Sequence, residues 1–167
     1  MSQPYVLDSN FFLQASKMHY PIDIAPGFWE KVSQLAADGK IISIDKVKAE
    51  LFTNPDSLTQ WIDDNLPADF FKETDTQIVL TTYGHVCAWA ASRSAHYSPG
   101  ALATFLEADE ADAWLVCYAA AHQLTIVTHE VSNPARKSSI KIPDACQPFN
   151  VPYLTTIEMF RALGETF

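Results

Sequence analysis

The sequence predicts an α/β domain built on a parallel sheet covered on both faces. Short continuous apolar runs, Tyr5-Val6-Leu7, Ile41 to Ile44 and Leu124 to Thr128, read as buried strands. Longer stretches with helical spacing and capping residues separate them, the alternation expected of a parallel sheet. The length of 167 residues, with 48 % hydrophobic and only 19 % charged residues, suits one folded domain over 1–167 with its own core rather than a disordered chain.

Each element follows from local chemistry. The first strand ends at Asp8, and Ser9 or Asn10 is placed to cap a helix through Lys17. Tyr20 to Gly27 holds two prolines and a glycine and reads as a loop. Pro26 suits the first turn of a helix to Ala37, closed by Asp38-Gly39. After the second strand, Asp45 caps a helix with Val47, Leu51 and Phe52 on one face and Glu50 beside them. Asp56 starts a helix through Leu66, stopped by Pro67, and Phe70 to Lys72 is a short third strand. Asp75 caps a long helix to about Ser94, Pro99 opens a short one to Leu106, and Asp109 caps a helix that packs Ala113, Leu115, Val116, Ala119 and Ala120 inward. The β-branched run to Thr128 is the fourth strand. A polar loop from Glu130 to Ser139, a short helix at Pro143-Asp144, a strand over Val151 to Leu154 and a helix over Thr155 to Leu163 complete the chain.

Composition narrows the function classes. The net charge of −9 disfavours a broad basic face for nucleic acid. Cys87, Cys117 and Cys146 form no CxxC pair, so neither a disulfide scaffold nor a thiolate zinc site is expected. The stretch Ile78 to Ala91 is too short and too polar for a membrane span, and MSQPYVLDSNFF lacks a signal-peptide pattern. The expected setting is cytoplasmic, reducing and free of membrane.

Ligands of open parallel sheets bind beyond the carboxyl ends of the strands. Acids collect there: Asp8 ends the first strand, Glu130 follows the late strand, Glu50 lies on the helix after the second, and Asp112 opens the helix leading to the fourth. Converging carboxylates cannot all stay ionised in apolar surroundings. A hard cation such as Mg²⁺ or Mn²⁺ resolves that conflict and supports phosphodiester hydrolysis. The five histidines show no HxH, HxxxH or HExxH spacing, which weakens a zinc alternative. A phosphohydrolase acting on a small phosphate would need a cradle such as GxxxxGK, and none is present.

The motifs Tyr5-Val6-Leu7-Asp8-Ser9-Asn10, Val47-Lys48-Ala49-Glu50-Leu51, Asp112-Ala113-Trp114-Leu115 and Ile126-Val127-Thr128-His129-Glu130 stand in the order seen in the PIN-domain nucleases, and the chain resembles that family over nearly its whole length. The segments Tyr20-Pro-Ile-Asp-Ile-Ala-Pro-Gly-Phe-Trp29 and Lys141-Ile142-Pro143-Asp144-Ala145-Cys146 are similar to a PIN-like subfamily. The resemblance implies a three-layer, Rossmann-like α/β/α fold with a sheet of about five strands in the order 3-2-1-4-5. It implies a Mg²⁺- or Mn²⁺-dependent endoribonuclease with Asp8, Glu50, Asp112 and Glu130 as catalytic metal ligands, leaving 5′-phosphate and 3′-hydroxyl ends. It also implies the toxin of a toxin–antitoxin pair in the VapC manner, with a cognate antitoxin and homodimerisation. Glu130 departs from the usual Asp, and the loop after it is longer than expected.

Each assignment has an ordinary structural alternative. Asp8 could cap a helix, Glu50 could pair with Lys46, and Asp112 could serve a helix N-terminus whose cap is Asp109. Ser9, Asn10 and Thr128 are candidates to orient ligands or waters. Arg136, Lys137 and Lys141 could hold an RNA backbone or simply be solvated. Trp29, Trp61, Trp89 and Trp114 could stack bases, though core packing is the commoner use. A catalytically weak, protein-binding PIN-like subunit is the alternative from another functional class.

Overall fold

The computed structural model describes residues 2–167. Five parallel strands, β1 (Tyr5–Leu7), β2 (Ile41–Ile44), β3 (Phe71–Lys72), β4 (Thr125–Val127) and β5 (Tyr153–Leu154), form one sheet in the order β3-β2-β1-β4-β5. Val6, Leu7, Ile41, Ile44, Ile126 and Val127 are wholly buried. Both faces of these strands are covered, which is why they read as unbroken apolar runs rather than alternating ones. Helices flank the sheet in a Rossmann-like three-layer arrangement.

The helices are α1 (Ser9–Gln14), α2 (Pro26–Ala37), α3 (Asp45–Leu51), α4 (Ser57–Asn65), α5 (Gln77–Ser92), α6 (Pro99–Phe105), α7 (Ala111–His122), α8 (Ile142–Cys146) and α9 (Thr156–Leu163). Sequence caps succeed where the side chain bonds locally. Asp56 forms a capping box with Thr59, Thr155 accepts from the Glu158 N–H, and Gly164 at φ 69° closes α9.

Four expected acid or hydroxyl caps are corrected. The residue flanking α1 is Asp8, not Ser9 or Asn10, and its side chain does not cap. Beyond α1 the chain widens into a π-helical turn, Ala15–His19, so the regular helix stops short of Lys17. Asp45 lies inside α3, because its carboxylate is committed to the Thr74 N–H (3.2 Å) and hydroxyl (2.8 Å) across the sheet edge. Thr76 rather than Asp75 flanks α5, which ends at Ser92, and Glu110 rather than Asp109 flanks α7. In each case a tertiary contact or a one-residue shift of the helix start overrides local capping preference.

The segment Tyr20 to Trp29 is a packed block. Tyr20 stacks on Phe28 with ring centroids 4.4 Å apart, and the Trp29 indole N–H donates to the Tyr20 carbonyl at 2.6 Å. Pro26 begins α2, as its fixed φ favours. Trp61 packs against Trp29, Trp89 against Phe105 and Phe149, and Trp114 stacks on Tyr83 at 4.0 Å. All four tryptophans therefore pack within the fold. The three cysteines are free thiols, and burial pushes Cys117 up strongly and Cys146 up to about 12. Among the described residues no helix is long and apolar enough to cross a membrane.

Candidate metal centre

The strand order reverses between β1 and β4: the chain runs outward from β1 through β2 to β3, then returns to β4 on the other side. Such a switch point opens a crevice at the carboxyl ends of the two central strands. Asp8 stands there. Its N–H donates to Val127 O at 3.1 Å, locking the end of β1 to β4, and the residue is 1 % exposed.

Two hydroxyls hold its carboxylate. Thr128 Oγ1 donates to Asp8 Oδ2 at 3.0 Å. The Ser9 hydroxyl stands 3.3 Å from Asp8 Oδ1 and 3.1 Å from Glu50 Oε1, so it joins the first strand end to α3. Ser9 and Thr128, two of the residues expected beside the acids, thus both bond to Asp8. Asn10 bonds to neither carboxylate among the described residues. Lys46 does not pair with Glu50; its ammonium lies 5.4 Å from the centre of the Trp114 ring. That leaves Glu50 exposed, its carboxylate bonded among the described residues to Ser9 alone.

Burial is the largest force on Asp8 and raises its pKa to about 6, against the lowering bond from Thr128 and with added like charge from Glu130 and Glu50. Asp112, in the first turn of α7, is pushed up to about 8, first by burial and then by Asp8, Glu130, Glu110 and Glu50. Asp112 and Glu130 line one cavity, Asp8 and Glu50 share the Ser9 hydroxyl, and charge influences link the two pairs. They also add Glu110, raised by burial and by Glu50, Glu107 and Glu130. Glu110 flanks the N-terminus of α7 two residues before Asp112, and its turn is fixed by Trp114, whose indole N–H donates to Ala108 O at 3.0 Å. The acid-rich run Glu107 to Asp112 was the signal for it; the displaced helix start hid its role.

Glu130 is placed differently from the other acids. Its Oε2 accepts the Ile142 N–H at 2.6 Å, so it supports the start of α8, and its own N–H donates to Thr128 Oγ1 at 3.1 Å. The long loop that follows is a strap. Ser132 and the Asn133 N–H bond to Asp144, Lys137 O accepts from the Ser98 N–H, and Arg136 O lies 3.1 Å from His96 Nε2. Arg136 and Lys137 are exposed on this strap. Lys141, by contrast, lines a cavity of about 150 Å³ together with Glu110, Asp112, Glu130 and Ser139. A wider cleft of about 820 Å³ adjoins Glu110 and is lined by Asp45, Lys46, Glu50 and Asp109.

The donor set fits a hard, oxygen-preferring divalent ion: carboxylates and hydroxyls, with neither Cys nor His among them. As the side chains stand, no three His, Cys, Asp or Glu among the described residues form a group that could hold an ion. One acid is drawn elsewhere, Glu130 to Ile142, while Glu50 is joined to Asp8 only through the Ser9 hydroxyl.

The family model of a domain of unknown function (DUF4411) matches residues 5–167, and the chain belongs to that family. No curated protein and no solved structure matches it.

Proposed function

We propose that this chain is a PIN-like, Mg²⁺- or Mn²⁺-dependent endoribonuclease, acting in the cytoplasm as the toxin of a toxin–antitoxin pair. The observation that carries the reading is Asp8, buried at the β1/β4 switch point and tied to Glu50 through one hydroxyl, with Asp112 and Glu130 lining a cavity whose charges act on it. Asp8, Asp112, Glu50 and Glu130 would hold the ion, and Glu110 would stand beside them. The ion supplies Lewis-acid chemistry and offsets phosphate charge when bound.

The chain's own groups do the rest. Thr128 and Ser9 fix which carboxylate oxygens face the cleft. Burial keeps bulk water from screening the Asp8 carboxylate. Lys141 meets a phosphate oxygen at the rim of the small cavity, and the open cleft beside α3 gives the RNA strand its path. The exterior stays acidic at net −9, so affinity for RNA would rest on the ion and a narrow basic rim, and a basic antitoxin segment would find complementary charge.

Purified protein with Mn²⁺ should cleave single-stranded RNA. Asp8→Asn should lower the rate by more than about 100-fold, beyond the roughly 10–100-fold range of residues that merely orient ligands. Unchanged cleavage by a folded Asp8→Asn chain would overturn the site. Induced expression should arrest growth in the native host lacking the neighbouring gene, and Asp8→Asn should relieve it.

The Glu130–Ile142 bond favours a second reading, a catalytically weak PIN-like subunit that binds protein, because it commits one expected ligand to a structural task. Mn²⁺ titration separates the two: the nuclease binds the ion and cleaves, whereas the subunit does neither at ordinary ion concentrations.

A further inference from the structure

The segment Thr128–Glu130 has two sides. Thr128 bonds to Asp8, while the neighbouring His129 turns to a cavity of about 140 Å³ at the same carboxyl edge of the sheet. One wall is aromatic: the partly exposed Tyr20, backed by its stacking partner Phe28 and by Phe11, both almost wholly buried. The other is polar: His19, His129 and Thr156, with the two imidazoles 6.4 Å apart and His129 Nε2 3.0 Å from the Thr156 hydroxyl. Thr156 follows β5, whose Leu154 carbonyl accepts the Thr128 N–H, so the polar wall is fixed to the strand end that orients Asp8.

The size and lining select the occupant. The volume is well below the roughly 300–1,000 Å³ of pockets that enclose a whole drug-sized ligand. It suits one planar ring system and excludes a complete nucleotide. An aliphatic group would leave His19 and the remaining hydrogen-bonding capacity of the His129–Thr156 pair without use. A heteroaromatic ring offers a face to the aromatic wall and ring nitrogens or exocyclic groups to the polar one.

We propose that this cavity takes one unstacked nucleobase of a single-stranded nucleic acid whose backbone crosses the acidic cleft. It deepens the nuclease reading and rests on it. A duplex could not present such a base without flipping it, so the cavity selects single strands. His129 and Thr156 are base-positioning residues here, with no part in the chemistry.

The test fills the cavity from Ala15, which lines neither of the acid-lined cavities. Ala15 lines it and is nearly buried, so Ala15→Leu occupies the space a base would take. Binding of a fluorescent single-stranded RNA oligonucleotide is measured by anisotropy in the Asp8→Asn chain, which prevents cleavage, with and without Ala15→Leu. The four nucleoside 5′-monophosphates are titrated separately. Loss of a stacked base predicts roughly 5- to 150-fold weaker oligonucleotide binding. In the chain with Asp8 intact, Ala15→Leu should raise KM and spare kcat. Should Ala15→Leu lower the melting temperature, Ile157→Trp at the half-exposed mouth replaces it, with the same expected result.

Equal oligonucleotide binding by a folded, cavity-filled chain overturns the proposal. So does an effect confined to the free monophosphates, which would make the cavity a small-molecule site. Absence of Mn²⁺-dependent cleavage strikes the nuclease reading alone, because the binding comparison does not depend on turnover.

Discussion

On one side of the Thr128–Glu130 segment lie Asp8, Asp112 and their acidic neighbours; on the other lie Tyr20, Phe28 and Phe11. The two groups share a sheet edge and differ in whether their members agree. Phe28 is 1 % exposed and touches Tyr20, Trp29, Phe160 and Phe167 at centroid distances of 4.4 to 5.9 Å. Each contact removes apolar surface from water and opposes none of the others. The carboxylates do the reverse: burial and mutual repulsion both resist ionisation of Asp8 and Asp112. The aromatic side supplies stability that the acidic side consumes, a division common where a site must hold groups that do not suit each other.

The largest effect on stability should come from the aromatic side. Phe28→Ala is expected to cost about 3–5 kcal/mol in denaturant unfolding, the range for emptying a large buried ring. A loss below 1 kcal/mol would show that the block from Tyr20 to Trp29 is dispensable. On the acidic side the same experiment should move the other way. Asp112→Asn should raise the melting temperature at pH 8.5 and change it little at pH 4, where the carboxyl is already protonated.

The pH dependence of the unmutated chain follows from the same shifts. Both carboxyls rise from an ordinary 3.8, to about 6 for Asp8 and about 8 for Asp112. Between those limits the folded chain holds protons that the unfolded chain has released. Its stability therefore declines as pH rises from about 4 to about 8. Mn²⁺ at millimolar concentration should flatten that decline, since an ion that binds only the folded state stabilises it more where the carboxylates are charged. Thermal melts across this range, with and without Mn²⁺, measure both slopes; parallel slopes would argue against an ion at Asp8 and Asp112.

Smaller effects sharpen the boundary. Ser9→Ala, which uncouples Asp8 from Glu50, should reduce Mn²⁺-dependent cleavage by roughly 10- to 100-fold while leaving the fold intact. Lys46→Met, which removes the cation beside the buried Trp114 ring, should change stability by no more than about 2 kcal/mol, the upper range for a partly desolvated cation–π pair. A double-mutant cycle with Trp114→Leu isolates that interaction.

Much of this was legible from residues alone. The apolar runs, Pro26, the Asp56 box and Gly164 set strands and helix ends because their physics is local. Asp8 was legible because a strand-terminal acid in a parallel sheet faces the ligand crevice whatever its neighbours. Glu110 was not, because its place in the site depends on Trp114 reaching Ala108 and fixing the turn before α7. Nor was the task of Glu130, since Ile142 lies twelve residues away across a loop with no periodicity to read.

The sequence by itself determined the alternation of strands and helices, the acids at strand ends and the apolar content that buries them. Those follow from backbone preference and from the patterning of neighbours. Tertiary structure decided which acids share a hydroxyl, which one is spent elsewhere, and that Lys141 lines one cavity with Glu110, Asp112 and Glu130. It also decided that Phe11, Tyr20, His129 and Thr156, from four separate segments, enclose one cavity. Such meetings depend on where the chain returns in space, and no local spacing encodes that.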